Sequence, residues 1–111
     1  YQNCINTIDI LSFEDQLALI SNLDLMLSMD SGNGHLAAMF NIPTITLWGV
    51  THPYAGFSPF NQASDNSLLS DLEKFPFIPT SIYGNKAPKG YENVMSTILP
   101  ETVISRINSL L

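Results

Sequence analysis

Residues 25–49 read LMLSMDSGNGHLAAMFNIPTITLWG, and this stretch decides the fold. Its two ends, 25–29 and 44–48, are short and almost entirely apolar or β-branched, which is typical of strands buried on both faces in a parallel sheet. The segment 32–40 between them favours a helix of about two turns, and Pro43 disfavours its continuation. Strand, helix and strand with short connections predict a right-handed βαβ unit, in which 25–29 and 44–48 are adjacent, parallel, central strands.

A further helix is predicted before this unit. Ser12 can cap a helix because its side chain can accept a free N–H group, and Glu14 and Asp15 suit the positive end of the helix dipole. Apolar residues then recur at helical spacing, and Asn22 is a suitable end. The order helix, strand, helix, strand over residues 12–48 predicts an α/β fold with an open, doubly wound parallel sheet.

The second half of the chain gives weaker signals. Residues 49–66 are predicted to be irregular because glycines and prolines interrupt any period. The segment 68–75 is compatible with a short helix, and 75–79 is apolar enough for a strand, although its two prolines exclude a central position. Pro100 suits a first helical position, and the apolar residues after it predict an amphipathic helix that docks on the rest of the chain.

Composition excludes several classes of function. The chain has 111 residues, which fits one small domain. Residues 1–73 carry eight acidic residues and no Lys or Arg, so neither binding to nucleic acid nor binding to a membrane through a polybasic patch is expected. Cys4 is alone, which rules out an internal disulfide. The sequence has no apolar run of membrane-spanning length and no signal-peptide pattern, so we expect a cytoplasmic protein. This expectation leaves open a peripheral position at the inner membrane face.

The segment 30–35, DSGNGH, joins the first predicted strand to the helix after it. Ligands of open α/β sheets bind outside the carboxyl ends of strands, and the free N–H groups of a helix start can hold an anion. Gly32 and Gly34 allow close approach of the backbone, while Asp30 and Ser31 add an acceptor and a donor. The pattern therefore predicts a phosphate cradle, but the same residue types also occur where a chain merely turns and caps a helix.

Other chemistries fit the sequence less well. A G-x-S-x-G nucleophile elbow is absent, so Asp30, Ser31 and His35 make a poor hydrolase triad. His35 and His52 are too few and too far apart to indicate a metal site, and each is interpreted as a hydrogen-bonding histidine. The aromatic residues of 48–60 form either a cleft wall or simple packing over the sheet. Exposure of Tyr54 or Phe57 would favour the cleft wall.

The motif DSGxxHLAA, followed by IPTIxLWGxTxP, resembles the signature of glycosyltransferase family 9, which includes the heptosyltransferases of lipopolysaccharide synthesis. The resemblance extends back through the predicted helix at 13–22 and forward to Pro100. The matching residues are Asp30, Ser31, Gly32, His35, Leu36, Ala37, Ala38, Pro43, Trp48, Gly49, Thr51 and Pro53.

This resemblance implies that residues 1–111 form a single, truncated nucleotide-sugar-binding domain, Rossmann-like and the C-terminal half of a GT-B fold. It implies transfer of a sugar from a donor such as ADP-heptose to a glycolipid acceptor, with inversion and without a metal or other cofactor. The catalytic carboxylate would lie in the missing N-terminal domain of the same protein, so no catalytic residue is assigned. The alternative is a noncatalytic Rossmann-like ligand-binding or interaction module.

The resemblance also implies roles for five residues. Asp30 would contact the donor sugar, and the backbone N–H groups of Ser31 and Gly32 would hold the diphosphate. His35 would orient this loop. Leu11, at the turn before the first helix, would make an apolar contact to the nucleotide base.

Overall fold

The computed structural model describes residues 2–111, so Tyr1 of the predicted domain lies outside the described residues. Three helices and three strands make up its regular structure, joined by single turns of 3-10 helix at 53–55, 64–66 and 94–97. In chain order these elements are α1 (Phe13–Ile20), β1 (Met26–Met29), α2 (Gly32–Met39), β2 (Thr44–Trp48), β3 (Ser67–Leu69) and α3 (Pro100–Leu110).

The strands form one parallel sheet in the order β1-β2-β3. Met26 lies opposite Thr44, and Thr46 lies opposite Ser67. The predicted α/β fold with an open parallel sheet is confirmed, as is the parallel pairing of β1 with β2. The prediction that both strands are central is wrong for β1, because within residues 2–111 it pairs on one side only, and Leu27 and Met29 are 43% and 48% exposed.

The two helices before β2 form as their sequences predict. The Ser12 hydroxyl accepts the N–H group of Asp15 at 3.1 Å, and α1 ends at Ile20, two residues before the predicted Asn22. The main apolar cluster joins α1, α2 and the chain leading into β2 through Ile20, Ala37 and Ile42. This cluster fixes α2 beside the sheet, with its first residue, Gly32, just beyond the carboxyl end of β1.

Residues 67–79 differ from the prediction. The short helix that the sequence allows at 68–75 does not form. Instead, β3 occupies Ser67–Leu69, and the Asp71 carboxylate accepts hydrogen bonds from the N–H groups of Glu73 and Lys74 in the turn that follows. No strand forms at 75–79 either. β3 has only three residues, which are too few to show the alternation of apolar and polar residues that identifies a strand. It is defined as a strand by its pairing with β2.

The last helix begins with Pro100 at its first position, as predicted. It docks only in part, since Val103 and Ile107 are half-buried whereas Ile104 remains 55% exposed. None of the helices in residues 2–111 has the length and apolar character needed to cross a membrane.

Candidate functional site

The start of α2 differs from the start of α1 in a way that suits an anion. Ser31 is the N-cap of α2, with φ −155° and ψ 164°, but its side chain caps no N–H group. In α1 the equivalent Ser12 does accept an N–H group, and Glu14 and Asp15 lie in the first turn, whereas the first turn of α2 contains no acidic residue. The first turn of α2 therefore has no side-chain cap from Ser31 and no acidic residue of its own, which leaves its N–H groups available to an anion.

Gly32 and Gly34 have different reasons to be glycine. A Cβ atom on Gly34 would lie 2.5 Å from Ser28 Oγ, so Gly34 lets α2 pack closely against β1. A Cβ on Gly32 would meet no atom within 4 Å, and the φ angle of Gly32 is not in the left-handed region. Packing thus explains why residue 34 is glycine, while nothing within the described chain requires glycine at 32, and close approach of a ligand to these two glycines stays a prediction.

Asp30 opens onto a cleft of about 320 Å³ at the carboxyl ends of β1 and β2. Its other walls include Thr51, Tyr83 and Glu92. Glu92 is an exposed carboxylate, and hydrogen bonds from its own backbone N–H group and that of Gly90 lower its pKa below the ordinary value. The cleft thus presents two carboxylates and the phenols of Tyr83 and Tyr91, which suits the hydroxyl groups of a polar ligand.

Sequence reasoning missed Tyr83 and Glu92. Residues 81–92 have no period and form no helix or strand, so nothing in the sequence places them near Asp30. The segment is held against the sheet by the backbone of Thr80, whose N–H group donates to the Val50 carbonyl at 3.0 Å. Gly84 is a local feature of this segment that requires glycine, because its φ angle is 65° and it packs on Thr51 and Val50.

The two remaining predicted site residues are Leu11 and His35. Leu11 is half-buried and lies in the bend just before α1. His35, also half-buried, follows in the first turns of α2, and its ring makes no hydrogen bond with residues 2–111.

The aromatic residues after β2 are divided between packing and exposure. Trp48 is fully buried, and Phe57 packs against Tyr83 with ring centroids 5.8 Å apart. His52 is buried and its Nδ1 accepts the N–H group of Tyr54 at 3.1 Å, which confirms His52 as a hydrogen-bonding histidine. Tyr54 itself is 93% exposed, which is the outcome that favours a ligand-facing wall over packing alone.

Comparison with known proteins identifies relatives of this chain. The family model of glycosyltransferase family 9 (heptosyltransferase) matches residues 2–79. Lipooligosaccharide heptosyltransferase 2 of Haemophilus influenzae is 31% identical over 108 residues, which cover 97% of this chain. The chain spans 30% of the length of that relative. No solved structure matches the chain.

Proposed function

The chain belongs to glycosyltransferase family 9, and on that premise we propose that it forms the nucleotide-sugar-binding part of an inverting glycosyltransferase of lipopolysaccharide synthesis. The uncapped start of α2 supports a donor-binding role, because it offers backbone N–H groups to a diphosphate in a half of the chain that has no Lys or Arg. The proposal places residues 1–111 in one domain, the C-terminal half of a GT-B fold.

The proposed reaction transfers a sugar from its nucleoside diphosphate to a hydroxyl group of a glycolipid. The acceptor oxygen forms a bond to the anomeric carbon from the face opposite the leaving group, and the bond from that carbon to the diphosphate oxygen breaks. Negative charge grows on the diphosphate as it leaves, and the N–H groups at the start of α2 stabilise that charge without a metal. The acceptor proton passes to a general base supplied by the N-terminal domain.

The proposal gives each site residue a role. Asp30, half-buried at the cleft, accepts hydrogen bonds from the donor sugar. The backbone N–H groups of Ser31 and Gly32 hold the diphosphate. Leu11 provides an apolar contact for the base of an ADP-type donor, and His35 orients the loop. The membrane-bound acceptor places the reaction at the cytoplasmic side of the inner membrane.

Gly32 carries this proposal and also provides its test. A Cβ atom at position 32 would meet no atom of the chain within 4 Å, so we expect the fold to tolerate Val there, while its side chain covers the N–H groups that the diphosphate needs. Each lost hydrogen bond to a charged group costs roughly 1.5–3 kcal/mol, so Gly32→Val should weaken ADP binding by the complete protein by about ten- to a hundredfold. The matched control is Asn33→Ala, which removes an exposed neighbouring side chain and leaves the N–H groups open.

Calorimetric titration with ADP, paired with thermal unfolding of each variant, measures the effect. Unchanged ADP affinity in a folded Gly32→Val protein would count against the cradle.

The chain by itself should not catalyse transfer, because the proposal assigns the base and the acceptor site to another domain. Incubation of the purified 111-residue chain with ADP-heptose and a lipid A acceptor should give no product. Turnover by this chain that disappears in Asp30→Asn would overturn the division of roles and make Asp30 the base.

A further inference from the structure

A cavity of about 550 Å³ lies on the face of the sheet that carries Thr44, Thr46, Ser67 and Leu69. It is separate from the Asp30 cleft, which lies beside residues of the opposite face, Met29 and Leu47. The cavity exists because the connection from β2 to β3 contains no α-helix, so an irregular loop at 52–64 covers this part of the sheet. Its volume is within the range of small-molecule sites.

Several polar groups around this cavity are already paired within the fold. The Gln62 side-chain carbonyl accepts from the Thr44 backbone N–H group at 2.8 Å and from the Asn66 amide at 3.3 Å. The Arg106 guanidinium donates twice to Asn66 Oδ1, at 2.9 and 2.6 Å. The Thr44 hydroxyl donates to the Ile42 carbonyl at 3.0 Å. These bonds hold the cavity open as part of the fold.

Two polar residues of the cavity wall keep a group that is not hydrogen-bonded. Thr46 is 2% exposed and His52 is 6% exposed, and both line the cavity. The Thr46 hydroxyl makes no hydrogen bond with residues 2–111, nor does His52 Nε2. Because His52 Nδ1 accepts the Tyr54 N–H group, the proton of the neutral ring lies on Nε2. Neither atom is fully occluded, unlike Trp48 Nε1, so both are available to a ligand or to water in the cavity.

We propose that this cavity binds a neutral sugar ring. No Asp, Glu, Lys or Arg is among the described residues that line it, which disfavours charged ligands. Sugar hydroxyl groups can accept from His52 Nε2 and pair with the Thr46 hydroxyl. Pro59 and Leu69 supply apolar walls, and the exposed ring of Tyr54, 4.4 Å from the His52 ring, offers a flat surface at the entrance. The inference does not rest on the proposed donor site.

Heteronuclear NMR of the 111-residue chain, titrated with methyl α-D-glucopyranoside and methyl α-D-galactopyranoside, tests this assignment. At least one of them should shift the amide resonances of loop 52–64 and of β3 in a saturable way. Thr46→Val, which keeps the shape and removes the hydroxyl, should weaken that binding about three- to tenfold. His52→Asn should do the same, because asparagine can still accept the Tyr54 N–H group but provides no Nε2 donor.

Thr102→Val on α3 is the matched control, since it makes the same chemical change at an exposed position away from the cavity, and it should leave binding unchanged. D-glucuronate should bind more weakly than the neutral glycosides. Three results would each overturn the proposal: no saturable shift in loop 52–64, unchanged affinity in both folded variants, or tighter binding of glucuronate. If one variant unfolds, the other still tests the proposal. The NMR spectrum of each variant shows whether that variant is folded.

Discussion

Gly34 and Ser28 should behave as an energetically coupled pair. Alanine is favoured over glycine in a helix by about 1 kcal/mol, but here its Cβ would lie 2.5 Å from Ser28 Oγ. The Ser28 hydroxyl cannot easily move away, because it is buried and donates to the Met29 carbonyl at 2.8 Å. Overpacking of this kind costs roughly 1–3 kcal/mol, so Gly34→Ala should lower the free energy of unfolding by up to about 2 kcal/mol.

The same substitution should reverse its effect when Ser28 is first changed to Ala. The closest remaining atoms, Pro59 Cγ and Ser28 Cβ, are then 3.6 Å from the new methyl group, which is ordinary contact. Gly34→Ala should therefore stabilise the Ser28→Ala protein by up to about 1 kcal/mol, giving a coupling energy of roughly 1–3 kcal/mol. Urea unfolding followed by the fluorescence of buried Trp48 measures all four proteins. Additivity within about 0.5 kcal/mol would refute the packing argument.

Three further outcomes are expected. Trp48 Nε1 is buried and has no partner within residues 2–111, so Trp48→Phe, which removes that N–H group, should cost less than about 2 kcal/mol against about 3–5 for Trp48→Ala, as followed by circular dichroism in urea. Arg106→Lys loses the paired bonds to Asn66 and should lower the unfolding free energy by roughly 1–3 kcal/mol; a change below about 0.5 would contradict the role given to this pair. The pKa of Glu92 is lowered, so the hydrogen bond that its carboxylate accepts from the Gly90 N–H group persists above pH 4.5 and is lost as the pH falls through the lowered pKa. An NMR titration of the Glu92 carboxyl carbon should therefore have its midpoint below pH 4.5, and a midpoint at or above 4.5 would disprove this prediction.

The parts of the fold that sequence predicts are those with a strong local pattern. β2 has five residues that are apolar or β-branched, and it is the central strand, buried on both faces. Ser12 and Pro100 mark helix starts through their own chemistry, independent of distant contacts. β1 has an equally apolar sequence, yet it is an edge strand in the described chain. Whether a strand lies at an edge depends on which strands pair with it, and its own residues do not encode that.

The sequence predicts which segment forms the candidate site, but it does not predict the separate roles of the residues within that segment. The motif at 30–35 contains two glycines that look equivalent in sequence. Only the position of Ser28, six residues before Gly34, shows that one of them is needed for packing. Thr46 carries no functional signal in sequence, because threonine is a common strand residue. Its proposed role comes from a hydroxyl that makes no hydrogen bond within residues 2–111 and from the cavity that Thr46 lines, which depends on the path of a loop that has no sequence period.

The brevity of β3 has a consequence for the order in which the molecule opens. β3 is anchored by three residues and by Ser70, whose N–H and hydroxyl groups donate to the Trp48 carbonyl at 3.1 and 3.0 Å. Closing the long irregular connection between β2 and β3 costs chain entropy, and the short parallel pairing of β3 offsets it with few contacts. We therefore expect β3 to detach from the sheet at a lower free energy than is needed to unfold the unit of α1, β1, α2 and β2. Since Ser67 and Leu69 are walls of the cavity, each such detachment removes part of its wall, so the shape of the cavity depends on the stability of the sheet edge.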